Sequence, residues 1–83
     1  MKIQIEIKTP GNGKVYEFQV DPEMKVGSAK KKIIGEIREL EKESIYLDEE
    51  NSMIFDGSKE CILAEDLTMD EAEVMSGREY ILL

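Results

Sequence analysis

Residues 15–40 read VYEFQVDPEMKVGSAKKKIIGEIREL, and the hydrophobic period changes within them. Tyr16, Phe18 and Val20 alternate with Glu17 and Gln19, the period of two expected of a strand with one buried face. Asp21-Pro22 ends that strand, because proline cannot donate to a sheet ladder. From Val26 the period becomes three to four. Val26, Ala29, Ile33, Ile37 and Leu40 line one stripe, which predicts an amphipathic helix from about Val26 to Lys42. Lys30, Lys31, Lys32, Glu36, Arg38 and Glu39 fall mostly outside that stripe. Gly35 sits mid-helix at a cost of about 1 kcal/mol relative to alanine. Close packing of the helix on a sheet is the one role the sequence offers for it.

Working outward, Ile3, Ile5 and Ile7 alternate with Lys2, Gln4, Glu6 and Lys8. Pro10-Gly11-Asn12-Gly13 is a strong turn signal, so the two alternating runs form an antiparallel hairpin. Beyond the helix, residues 45–52 make an acidic connection, and Met53-Ile54-Phe55 is a short strand closed by Asp56-Gly57. Residues 58–66 read as irregular, with a brief strand near Cys61-Ile62-Leu63. Thr68 and Glu71 have the spacing of a capping box at the start of a short helical turn over 67–74. Met75-Ser76-Gly77-Arg78 turns the chain into a last strand, Glu79-Tyr80-Ile81-Leu82-Leu83. The simplest arrangement that buries these stripes together is one α+β domain over 1–83. A single helix lies across one face of a mixed sheet of four to five strands.

Composition narrows the function classes. The 83 residues are 41% hydrophobic, enough for a packed core and too many for a disordered chain. No apolar run is long enough to span a membrane, and Met1-Lys2-Ile3-Gln4 lacks the apolar block of a signal peptide. Direct membrane insertion is therefore not expected, and a cytoplasmic location is. The net charge is −8 and the pI near 4.5, which disfavours nucleic acid as a partner, since phosphate binding needs a basic surface.

Chemistry is also limited. With no histidine, the usual general base of a Ser or Cys triad is missing. With Cys61 as the single cysteine, zinc sites built on Cys or His clusters are excluded. Asp48-Glu49-Glu50-Asn51 fails the calcium-loop pattern, because Met53 stands where the sharp-turn glycine belongs. Glu65 and Asp66 are expected to face water. Cys61, beside Ile62 and Leu63, reads as a small buried apolar residue. Lys30-Lys31-Lys32 reads as a solvated helix face pairing with acids at helical spacing, with a docking patch for an acidic partner as the alternative. No catalytic residue, metal or cofactor is expected.

Glu17-Phe18-Gln19-Val20-Asp21-Pro22, followed by Val26, Ala29, Lys30 and Ile33, resembles ubiquitin without a gap. Met53-Ile54-Phe55-Asp56-Gly57 is similar to ubiquitin's third strand and its turn. Thr68 to Val74, running on to Tyr80-Ile81-Leu82-Leu83, is similar to its Thr-Leu-Ser-Asp turn and final strand. The resemblance implies the ubiquitin-like β-grasp fold. The sequence departs from it in a longer hairpin, a longer helix and connection, and a longer loop after Gly57. It also stops at the final strand, without the Arg-Gly-Gly tail on which conjugation and bacterial sulfur transfer depend. Gly77-Arg78-Glu79-Tyr80-Ile81-Leu82-Leu83 is similar to the last turn and strand of the YukD-type accessory proteins of bacterial type VII (WXG100) secretion.

In ubiquitin an aliphatic patch on the sheet is the main recognition surface. Here, if Tyr80 and Leu82 point into the core, Ile81 and Leu83 point out; if Met53 and Phe55 point in, Ile54 points out. Ile54, Ile81 and Leu83 are therefore the expected protein-binding residues, on the sheet face away from the helix. The leading expectation is a non-conjugated interaction module that binds a protein partner; the alternatives are that the longer loops fold over the patch or that it pairs two copies of the chain. The competing readings are a covalent modifier or sulfur carrier, should the gene continue to a Gly-Gly, and a domain of a larger protein.

Overall fold

In a computed structural model, which describes residues 2–41 and 47–83, both halves of the decisive stretch form as read. Strands β1 (Ile3–Thr9) and β2 (Lys14–Val20) make the hairpin, and α1 spans Val26–Leu40. Strands β3 (Ile54–Asp56), β4 (Cys61–Ile62) and β5 (Glu79–Leu82) follow. The sheet order is β2-β1-β5-β3-β4. The chain's last strand therefore pairs parallel with its first, while β3 joins antiparallel on the other side of β5. This is the mixed sheet with one helix that the sequence predicted.

The hairpin turn uses the residues that signalled it. Gly13 has φ +70° and, with Asn12, donates its amide to the Thr9 carbonyl. The Asn12 side chain accepts from the Lys14 amide at 3.1 Å and donates to the Tyr16 hydroxyl. Inside, Ile5, Ile7, Ile54, Tyr80 and Leu82 from the sheet meet Val26, Ala29, Ile33, Ile34 and Ile37 from the helix. Burying each large aliphatic side chain stabilises the fold by about 1.5–3 kcal/mol.

The stripe is broader than its simplest reading. Ile34 is fully buried, whereas Leu40, in the last turn, is exposed. Lys30 corrects the expectation of a solvated lysine run. It lies four residues after Val26 and three before Ile33, which places it on the apolar stripe, and it is 2% exposed. Its Nζ donates to the Ser52 carbonyl at 3.0 Å and to Glu65 Oε2 at 2.8 Å. The stem packs while the ammonium is satisfied by two acceptors distant in sequence. Glu65 thus holds a partner instead of only facing water.

The helix N-terminus has no side-chain cap. Its first amides are satisfied by the 65–67 loop: Val26 donates to the Leu67 carbonyl at 2.8 Å and Gly27 to the Glu65 carbonyl at 3.0 Å. Gly27 is the glycine that close packing requires, since a Cβ there would lie 3.3 Å from Glu65 Cβ and from its carbonyl oxygen. Gly35 has open space around its missing Cβ. Close packing therefore does not explain it, and nothing else in the structure does. The expected capping box is present, with Thr68 N donating to Glu71 Oε1 at 2.9 Å and Glu71 N to Thr68 Oγ1 at 3.0 Å. The helix ends at Leu40 with Glu41 as its non-helical C-cap, short of the predicted Lys42; Lys42 itself and the start of the acidic connection lie outside the described residues.

Candidate functional site

The sheet face away from the helix is the candidate site, and strand parity decides what it displays. On β5, Tyr80 and Leu82 are buried and face the helix, so Ile81 projects outward as expected. Leu83 follows the same alternation and is 53% exposed; its amide and carbonyl both pair with Met53. Ile54 is a correction. It pairs with Leu82 and is 2% exposed, so it belongs to the core. Phe55, in register with Ile81, takes its place on the outer face, with Met53 beside it. The three residues Met53-Ile54-Phe55 are all apolar, so period-two alternation carries no parity signal there. The parity comes from docking against β5, and a one-residue slip exchanges the faces.

Across the five strands the registered pairs connect into rows. One row runs Val15–Lys8–Ile81–Phe55–Ile62, with each neighbour directly opposite the next. Four interstrand spacings give it a length of about 19 Å. Val15, Ile62 and Met53 are each more than two-fifths exposed, and Phe55 and Ile81 are half-buried. The five aliphatic and aromatic side chains Ile81, Phe55, Ile62, Met53 and Leu83 therefore form one contiguous apolar patch. Isolated exposed apolar residues are ordinary; a contiguous set on one face marks an interaction surface. Met53 and Phe55 were missed from the sequence because their facing depends on β5, more than 15 residues away, and Ile62 because its facing follows from its pairing with Phe55.

One step along the strands lies a second row, Glu17–Glu6–Glu79. Glu17 Oε2 accepts from the Gln4 side-chain Nε2 at 3.0 Å. Among the described residues, no Lys or Arg forms an ion pair with any of the three.

Other candidates fall away from this face. Cys61 is exposed in the two-residue edge strand β4, which corrects the expectation that it is buried. The acidic loop is a turn tied to the helix through Arg38, which pairs with Glu49 at 3.9 Å, and within it Asp48 accepts from the Glu50 amide at 2.9 Å and from the Asn51 side chain at 2.7 Å. These contacts, the Glu50 amide foremost, hold its carboxyl below the usual range. A hydrogen bond from Lys59 likewise holds Glu73 below its usual value and raises the Lys59 ammonium. Among the described residues, no group of three Asp, Glu or Cys side chains could hold a metal ion, and no helix is long and apolar enough to cross a membrane.

Solved structures share this architecture. The ubiquitin-like domain of Plasmodium falciparum Dsk2 superimposes with a TM-score of 0.77 at 24% identity, over 99% of this chain and 96% of that one. Caldiarchaeum subterraneum ubiquitin gives 0.76 at 20% identity, over 99% and 91%. The N-terminal ubiquitin-like domain of the 4931431F19Rik protein gives 0.76 at 16% identity, over 99% and 73%. The fold is thus the ubiquitin-like β-grasp. No protein-family model matches the chain, and no curated protein matches it.

Proposed function

We propose that this ubiquitin-like fold serves as a non-enzymatic protein-interaction module whose binding surface is the outer face of its sheet. The observation that carries this reading is the contiguous patch of Ile81, Phe55, Ile62, Met53 and Leu83. Ile81 and Leu83 keep the roles read from the sequence, and Phe55 replaces Ile54 at the centre. The module acts in the cytoplasm. The likeness of Gly77–Leu83 to YukD-type proteins supports an accessory role beside a bacterial type VII secretion machine. A neighbouring gene for a WXG100 protein or a membrane ATPase tests that setting.

The binding surface is tested with Phe55→Asp and Ile81→Asp, each checked for retained fold by circular dichroism. Partners captured by the wild-type protein and identified by mass spectrometry are expected to be lost on both variants. Undiminished capture of the same partners by both folded variants overturns the reading.

A further inference from the structure

We infer that the occupant of the outer sheet face is a basic amphipathic helix, seated with its apolar side on the Ile81–Phe55 patch and its lysines or arginines over Glu17, Glu6 and Glu79. The inference rests on the sheet-face reading and adds the chemistry of the partner.

The acidic row is the first argument. Glu6 stands directly opposite Glu17 on one side and beside Glu79 on the other. Like charges directly opposite on neighbouring strands are destabilising. Lys8, in the adjoining row of the same face, makes no ion pair with any of the three. A repulsive row left uncompensated next to an apolar patch complements a partner with cations flanking an apolar stripe. Metal is not the counter-charge, since these carboxylates do not group closely enough to hold an ion.

Geometry selects a helix. The outer face of a sheet offers no free backbone groups, because those are spent within the ladder, so an extended segment laid on it would leave its own amides unpaired. A helix satisfies its backbone internally. The row from Val15 through Lys8, Ile81 and Phe55 to Ile62, about 19 Å long, matches roughly 13 helical residues at 1.5 Å each, with the apolar seat at its Ile81–Phe55–Ile62 end. The two rows lie two residues apart along the strands, about 7 Å, which falls within the 10–12 Å width of one helix.

Two synthetic 16-residue peptides test this, sharing one leucine stripe and differing only in flanking residues, all lysine or all glutamate. They are titrated into the isotopically labelled protein and followed by amide chemical shifts. The lysine peptide is expected to move the signals of residues 6, 17, 55, 62, 79 and 81, and to bind at least about tenfold more tightly than the glutamate peptide. Glu6→Gln combined with Glu17→Gln is expected to weaken the lysine peptide about fivefold and to strengthen the glutamate peptide, narrowing the gap between them.

Equal binding of both peptides at this face overturns the charge assignment and leaves the sheet-face reading standing. The charge assignment also falls if a lysine peptide without leucines binds as well, or if the shifts centre on the acidic loop at 48–50. If neither peptide moves the sheet-face signals, or the face is closed by concentration-dependent pairing of the chain with itself, both inferences fail.

Discussion

The two faces of this sheet treat charge in opposite ways. On the helix side the fold buries Lys30 and supplies both the Ser52 carbonyl and the Glu65 carboxylate to satisfy it. On the outer side, where solvent would tolerate almost any arrangement, three glutamates stand in register with no ion pair to a Lys or Arg among the described residues. The first pattern is what stability requires, because an unpaired buried charge costs several kcal/mol. The second is one that stability alone would remove. The difference separates the surface shaped by folding from the surface that folding leaves unexplained.

The sharpest way to break the comparison is to place one charge on each side of β3. Ile54→Asp is expected to cost more than about 4 kcal/mol and to unfold a domain of this size, since it buries an unpaired carboxylate. Phe55→Asp, one residue on, is expected to cost about 1 kcal/mol or less. Urea titration of both variants measures the gap, and equal losses would refute the assigned parity. Next in size is Lys30. Replacing it with alanine removes a buried stem and leaves the Ser52 carbonyl without its donor, at about 2–4 kcal/mol. Lys30→Met keeps the stem and should lose less than half of that in the same titration.

The helix glycines sharpen the same contrast between packed and free surface. Gly35→Ala enters open space and is expected to raise stability by about 1 kcal/mol, seen as a higher thermal midpoint. Gly27→Ala meets Glu65 at 3.3 Å and should give no such gain. On the outer face, Glu6→Gln relieves two like-charge contacts and is expected to stabilise by about 0.2–1 kcal/mol. A loss there instead would mean the acidic row belongs to the folding side of the comparison.

The smallest expected effect concerns pH. Asp48 and Glu73 have folded-state values below the ordinary 3.8 and 4.5. Their stabilising contribution is therefore complete above those ordinary values and is lost as pH falls through the lowered ones. Glu73 is exposed and Asp48 is not buried, so solvent screens both and the dependence should be shallow. Glu73→Gln should flatten it in denaturation curves taken between pH 5 and 3. With no histidine in the chain, little change is expected between pH 6 and 8.

Local patterns made much of this molecule legible in advance. The alternation of Ile3, Ile5 and Ile7, the break at Asp21-Pro22 and the helical stripe after Val26 are each set by neighbours within one or two turns of chain. The Thr68–Glu71 box is set the same way, and all of them formed. The candidate site was half legible. Ile81 and Leu83 follow Tyr80 and Leu82, whose alternation with them is plain. Ile54 was misplaced because its own strand is uniformly apolar. Lys30 was misread because its charge outweighed its position on the stripe, and Cys61 because its apolar neighbours say nothing of an edge strand.

Sequence alone determined the elements, their order and the ubiquitin-like arrangement, because strand and helix periods and turn chemistry act over a few residues. Tertiary structure decided which way Met53-Ile54-Phe55 faces, where the Lys30 ammonium ends and that Glu17, Glu6 and Glu79 meet. Each of these depends on the register between strands and loops far apart in the chain, and register is settled only when the core closes.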